Sequence, residues 1–474
     1  MSKATTGGWG RASIVGLALV ALLVVGTWAY SLWIYRPQFN AERQKVAFTF
    51  GPYPSDLYSS WLPARELLFH GRDPYGPDIT REIQLGFYGR VLAPDDEVRA
   101  TLAFIYPPSM IVLFAPLALL PFEWVSTLFA LTVPLLCMIV AVGSMAAAGW
   151  RPARPSWLAL LALAASTIPA TYLYYLQQPT LWVAVLLAGT VLALVRGGRG
   201  EPAPSPPLTT AHLNWWYIGA GLLFALTTVK PQVALGPGVW LGLWVLGDWR
   251  RRQGLAWGVG IGGALLGAFS FALVPNWVGE WRAALGDYVG YATGLPPLGL
   301  LPFTPPAAIA WLQGALVVAA LVGGWAVRRA APGTPAWAWA WGVAGLVGLH
   351  LIPSWVPYNH ILLLPGAIAL ALAWATPGTG RAARLLYGGV LAFLVLPQAL
   401  ATAITGLWLA AGGLNGAAGA GRMAELWPLA WAPGLFTPLL LIPPLAVLGW
   451  QTIRRAAPGR QPREAQLETV EVRP

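Results

Sequence analysis

Long apolar runs alternate with short polar breaks along almost the whole chain. Runs near 12–35, 123–148, 157–175, 180–196, 215–230, 233–248, 255–275, 304–327, 337–353, 358–376, 384–404 and 428–450 recur with little between them. Each approaches the roughly 20 apolar residues that a helix needs to cross a hydrocarbon core of about 30 Å. Lipid offers no water to backbone N–H and C=O groups, so such spans are expected to be helices. The pattern therefore predicts an all-α, polytopic transmembrane bundle of about 12 spans, with both termini on one side. One further apolar segment, 101–121, is interrupted by Pro107, Pro108, Pro116 and Pro121. Because proline removes helical hydrogen bonds, this segment is expected to be a broken, re-entrant or juxtamembrane element and not another crossing. The first run is longer than a signal-peptide core and no small-residue cleavage site follows it, so it reads as a retained anchor.

The polar interruption after the first run is the most informative. From Asp56 onward, Leu57, Tyr58, Trp61, Leu62, Leu68 and Phe69 fall at helical spacing until Gly71 and Asp73-Pro74 stop the pattern. This predicts a short amphipathic helix headed by an acid, lying flat at the interface with its apolar face toward lipid. An aspartate in that position has an ordinary explanation as a helix cap, which Ser55 can also supply. The Asp73-Pro74-Tyr75 stretch reads as the turn that ends the helix.

Composition agrees with a membrane protein: 57% of the 474 residues are hydrophobic and 10% charged, against roughly 25% charged in an ordinary soluble domain. The net charge of +11 does not point to nucleic acid, because the arginines are scattered in pairs between apolar runs. With twelve spans, the side holding the termini carries 18 of the 29 basic residues but only 5 of the 18 acidic ones. By the positive-inside rule that side is cytoplasmic. Residues 1–455 are then one integral membrane unit, with 36–121 forming an outer loop and juxtamembrane elements, and 456–474 a disordered cytoplasmic tail. Residues 201–208 read as a proline-rich linker. The single cysteine, Cys137, lies in an apolar run and excludes an intrachain disulfide.

On the outer side this topology gathers several polar residues at span ends. Lys230 sits between two apolar runs, where a lysine is costly unless it reaches water or an anion; it either snorkels to the headgroups or faces a phosphate. His360 follows the turn Ser354 to Asn359 and is an interfacial residue or a donor to a phosphate or sugar hydroxyl. Tyr106, before two prolines, shapes the chain or lines a pocket, and Gln178 lies in a short outer turn. Asp95, Asp96 and Glu97 read as a solvated turn. No metal-ligand spacing or nucleotide-binding loop is present, and no cofactor is expected.

Taken in order, several motifs resemble glycosyltransferase family 87. They are Asp56, Ala64-Arg65, Gly71 to Tyr75, Tyr106 to Pro108, Pro116 to Pro121, Leu176 and Gln178, Lys230-Pro231, and Ser354, Trp355 and His360. Two departures are visible. The chain has Gln177-Gln178-Pro179-Thr180 where the family usually has Gly-Gln-x-Asn, and its Ser-Trp turn is spaced differently from the histidine. The resemblance implies a GT-C fold, whose enzymes use polyprenyl-phosphate sugars. It also implies transfer of a hexose, mannose, to a hydroxyl of a glycolipid or glycan with inversion and without an essential metal. On that reading Asp56 is the catalytic base, and Lys230, His360, Tyr106 and Gln178 bind substrate at a site facing outside. The alternatives are a transporter or flippase for lipid-linked sugars, a polysaccharide polymerase or ligase, and a noncatalytic scaffold.

Overall fold

The computed structural model describes residues 11–45, 51–93, 102–198, 214–291, 297–300, 304–352, 356–416 and 418–456, with no strand among them. The main helices in chain order are α1 (Arg11–Ala41), α2 (Tyr58–His70), α3 (Pro77–Tyr88), α4 (Phe122–Ala147), α5 (Arg154–Ala164), α6 (Ile168–Leu176), α7 (Thr180–Gly198) and α8 (Trp215–Thr227). They continue with α9 (Pro231–Gly247), α10 (Trp249–Leu273), α11 (Trp277–Tyr291), α12 (Pro306–Val327), α13 (Pro335–Leu351), α14 (Pro357–Ala375), α15 (Arg381–Ala410) and α16 (Gly419–Arg455).

The all-helical, multi-pass expectation holds. Among the described residues, α1, α4, α7, α10, α12, α14, α15 and α16 are the 8 helices long and apolar enough to cross a membrane. The pair α5 and α6, bent by 44°, makes a ninth if it is one span. The other expected crossings are helical but shorter: α8 has 13 residues, and α9 and α13 have 17 each. Each of the apolar runs is thus a helix, but a count of twelve is not reached on length. Segment 101–121 forms no span. Its described part holds a single turn at Pro108–Met110 and a four-residue helix at Ile111–Phe114, as its prolines require.

Helix α2 departs from its expected setting. Its apolar residues Tyr58, Trp61, Leu62 and Ala64 are buried, and only the distal Leu68 and Phe69 are exposed. The face expected to meet lipid instead covers the 108–118 segment, where Trp61 Nε1 donates to Leu117 O at 3.1 Å and Arg65 Nη1 to Ala118 O at 2.8 Å. The protein carbonyls freed by the broken segment give this amphipathic helix partners that lipid lacks. Gly71, at φ 65°, ends the helix, and Asp73 closes the following turn by accepting the Tyr75 N–H at 3.0 Å.

Helix α13 is the most enclosed, with nearly every residue from Trp337 to His350 buried. It packs along α9, where Gly236 lies against the Ala344 carbonyl with no room for a Cβ. That close approach sets the N-terminus of α9 beside the turn that opens α14. The proline-rich linker 201–208, the Asp95 to Glu97 turn, Ser354-Trp355 and residues 457–474 of the tail lie outside the described residues.

Candidate active site

Four separate segments converge on one buried polar cluster. The first is Ser55-Asp56, just before α2. Ser55 Oγ accepts the Leu57 N–H at 3.1 Å, and α2 has no cap from Asp56, so the serine does the local structural work. Asp56 is half-buried, and its backbone N–H donates to Leu176 O at 3.0 Å. Its carboxylate Oδ2 accepts a hydrogen bond from Gln178 Nε2.

The second segment is the turn Gln177 to Thr180 between α6 and α7. Gln177 has φ 51°, a left-handed conformation that costs a non-glycine residue about 1–2 kcal/mol. Three side-chain bonds hold it there: Ser55 Oγ donates to its Oε1 at 2.7 Å, and its Nε2 donates to Ser126 O and Ser126 Oγ at 2.9 Å each. Gln177 is therefore a strut, and the turn it fixes presents the next residue, Gln178, to Asp56.

The third segment brings Lys230, which is 4% exposed at the N-terminus of α9. Its Nζ donates to Gln178 Oε1 at 2.9 Å and to Thr180 Oγ1 at 2.7 Å. It also lies 5.8 Å from the centroid of the Tyr106 ring and 5.2 Å from that of Tyr358. The fourth segment is the turn Tyr358 to His360, in which Asn359 Oδ1 accepts from Thr180 Oγ1 at 3.3 Å. Tyr106 is held from the other side, since Tyr75 Oη donates to Tyr106 O at 2.6 Å. The Asp73-Pro74-Tyr75 turn thus supports the cluster through Tyr106.

Of the five residues singled out in the sequence, Asp56, Gln178, Lys230 and Tyr106 meet here. His360 is buried in the wall of a different, largely apolar cavity of about 490 Å³, beside Gln398 and Gly434. Successive residues of its 3-10 turn project about 120° apart. The neighbours Tyr358 and Asn359 therefore reach the lysine while His360 lines the other cavity. Sequence reading missed Thr180, Asn359 and Tyr358. Thr180 stood in plain view as the residue replacing the family's usual asparagine, and Asn359 adjoins the histidine, but nothing in their spacing marks them.

Chemically, the cluster is an amide-bridged acid and cation. A lysine fixes the orientation of the Gln178 amide by taking its oxygen, which turns the nitrogen toward the carboxylate. One carboxylate oxygen is thereby occupied. Both hydrogen-bond partners of Lys230 among the described residues are neutral, and the carboxylate it faces, Asp56, stands across the Gln178 bridge, so its burial is only partly offset. Its place at a helix N-terminus adds to the positive potential. No group of three or more His, Cys, Asp or Glu residues that could hold a metal occurs among the described residues.

Comparison with protein families finds that residues 104–295 match the model of Glycosyltransferase family 87. The matched stretch includes Tyr106, Gln178 and Lys230, and it bears out the resemblance drawn from the motifs. No curated protein and no solved structure matches the chain. Together with the multi-pass helices, the family match supports a likeness of this chain to the membrane glycosyltransferases of that family.

Proposed function

We propose that this chain is a membrane glycosyltransferase that moves a hexose, mannose by family resemblance, from a polyprenyl-phosphate donor to an acceptor hydroxyl by inverting single displacement. The observation that carries the reading is the chain Asp56–Gln178–Lys230, which holds a carboxylate and a buried cation at fixed separation. Single displacement at an anomeric carbon needs those two functions and only one carboxylate. Asp56 takes the proton of the acceptor hydroxyl as its oxygen bonds to the anomeric carbon. The bond from that carbon to the donor phosphate oxygen breaks, and the electron pair leaves with polyprenyl phosphate. Lys230, backed by the N-terminus of α9, meets the developing phosphate charge, with Tyr106 and Tyr358 screening the site from water. The basic residues at the opposite end of α9 favour an orientation with both termini cytoplasmic and this site at the outer face.

The direct test supplies purified protein in proteoliposomes with radiolabelled polyprenyl-phosphate mannose and membrane lipid extracts as acceptors. Label should pass to a new glycan or glycolipid. Asp56→Asn should cut that transfer by about 10²-fold or more while donor binding and the melting temperature stay near wild type. Full transfer by Asp56→Asn removes the base assignment, and no transfer from any polyprenyl-phosphate sugar removes the donor class.

A further inference from the structure

The ammonium of Lys230 is nearly spent on protein. It carries three N–H bonds, and Gln178 Oε1 and Thr180 Oγ1 take one each. Among the described residues a single N–H is left for a ligand. A phosphate that departs with an electron pair presents several oxygens, so one ammonium N–H leaves most of their hydrogen-bonding capacity unmet. The chain offers a second donor beside it.

Tyr358 sits in the tight turn Pro357–Leu363 that opens α14, and its ring centroid lies 5.2 Å from Lys230 Nζ. Asn359, the next residue, accepts from Thr180 Oγ1 at 3.3 Å, and the same threonine oxygen takes the Lys230 ammonium at 2.7 Å. Tyrosine and lysine are therefore pinned to one another through Thr180. The Asp56 carboxylate and the Tyr106 and Tyr288 side chains lie within electrostatic range of Tyr358, which puts its hydroxyl in the cluster and not behind it. Tyr358 is 7% exposed, and its hydroxyl has no hydrogen-bond partner among the described residues. Three other tyrosines are treated differently. Tyr30 Oη donates to Trp427 O, Tyr75 Oη to Tyr106 O at 2.6 Å and Tyr387 Oη to Gln451 Oε1 at 3.2 Å. A ring is all that contact with the ammonium and exclusion of water require, and phenylalanine supplies one without burying an unsatisfied hydroxyl.

We infer that Tyr358 is a second catalytic residue at the phosphate: its hydroxyl donates a hydrogen bond to the donor's phosphate beside Lys230 and completes its own hydrogen bonding only when substrate is bound. The inference rests on the polyprenyl-phosphate reading above. As the bond from the anomeric carbon to the phosphate oxygen breaks, that oxygen keeps the electron pair and the phosphate gains a second negative charge. The ammonium N–H and the phenol O–H meet this charge together, both fixed in place before it forms. No bond to Tyr358 forms or breaks. Its phenol, with an ordinary pKa of about 10, keeps its proton throughout. Because the hydrogen bond strengthens as the phosphate charge grows, the hydroxyl favours the transition state over the bound donor.

The test is Tyr358→Phe in the full-length protein in nanodiscs, which keeps the ring and deletes only the hydroxyl. Its probes are polyprenyl phosphate, the departing product, and polyprenyl-phosphate mannose. Without ligand the melting temperature should match wild type or rise slightly, because the hydroxyl it loses has no partner in the fold. Affinity for polyprenyl phosphate should fall at least tenfold, and kcat with the mannose donor about 10²-fold. The acid limb of the pH–rate profile should stay where it is. A lowered melting temperature, or failure to fold, overturns the inference, since either would give the hydroxyl a structural partner. A displaced acid limb with unchanged affinity for polyprenyl phosphate also overturns it and makes Tyr358 a positioning residue for Asp56. Wild-type binding of polyprenyl phosphate that Tyr358→Phe leaves intact removes this assignment alone. A wild-type protein that binds neither probe removes the donor class, and the role of Tyr358 with it.

Discussion

A buried cation lies near each end of helix α9, Lys230 at its start and Arg252 of α10 beside its last turn, and the two are treated in opposite ways. At its C-terminal end Arg252, 8% exposed, donates to Trp244 O at 2.6 Å, Arg328 O at 2.7 Å and Arg329 O at 3.2 Å. Its guanidinium carbon also sits 4.2 Å from the centroid of the Trp244 ring. Those carbonyls belong to the ends of α9 and α12, where the helix dipole is negative, so the charge is satisfied by the fold. Lys230 occupies the other end, about 25 Å away along a 17-residue helix, where the dipole is positive. It has two neutral side-chain partners and two aromatic rings. Burial alone does not mark a functional cation; the sign of the surrounding potential does. Arg252 joins two helices, while Lys230 is held in a setting that an anion would improve.

Exchanging each cation for methionine separates the two roles. Lys230→Met should lower kcat/KM for the donor by about 10²- to 10³-fold, the usual scale for removing one preorganised stabiliser of transition-state charge. Because the removed charge is hydrogen-bonded only to neutral groups and faces Asp56 across the Gln178 bridge, the melting temperature should change little. Arg252→Met should do the reverse. It strands carbonyls at two helix ends, at about 1–3 kcal/mol for each buried group left unsatisfied, so thermal unfolding should shift down while the folded fraction transfers sugar normally. Matching stability losses in both variants would erase the contrast between the two ends of α9.

Gln178 tests how the cation and the acid are coupled. Gln178→Ala removes the bridge but neither of the groups it joins. A carboxylate free to turn by about 1 Å from its productive position can lose about 10²-fold in rate. The loss is expected in kcat, with donor KM moving far less than in Lys230→Met. A change confined to donor KM would make Gln178 a donor ligand and not a positioning residue.

How much of this is legible in the sequence depends on the kind of signal. Apolar runs around 20 residues long announce themselves, because lipid demands both length and composition of a helix. Whether α8, α9 and α13 count as crossings did not follow, since their limits depend on where neighbours such as Lys230 and Asp248 stop them. The isolated polar residues Asp56 and Lys230 stood out because the chain around them is apolar. Gln178 was noticed for its motif, but its bridging role depends on the left-handed Gln177 beside it, and no spacing rule predicts a strained glutamine. The packing of α2 on protein instead of lipid is not legible for a related reason: an apolar face does not say what covers it. His360 was expected near the lysine because its turn is, but one residue of a tight helix suffices to turn a side chain into another cavity.

The smallest expected effect concerns the residue that departs from the family pattern. Thr180 takes the Lys230 ammonium on its hydroxyl oxygen and passes its own proton toward Asn359 Oδ1. Its hydroxyl thus links the lysine to the turn that opens α14, which is the work a longer asparagine side chain could do from the same position. Thr180→Val keeps the volume and deletes that link. A hydrogen bond from a charged group contributes about 1.5–3 kcal/mol, but Gln178 still holds the ammonium from its other side, so the net loss is about 1 kcal/mol, or roughly a fivefold change. A severalfold rise in donor KM with kcat little changed is the expected result, and Thr180→Asn should restore wild-type values by supplying an amide oxygen to the lysine. A loss in Thr180→Val as large as that of Lys230→Met would mean that the hydroxyl acts on the substrate itself, and the lysine would then no longer be the principal contact for the phosphate.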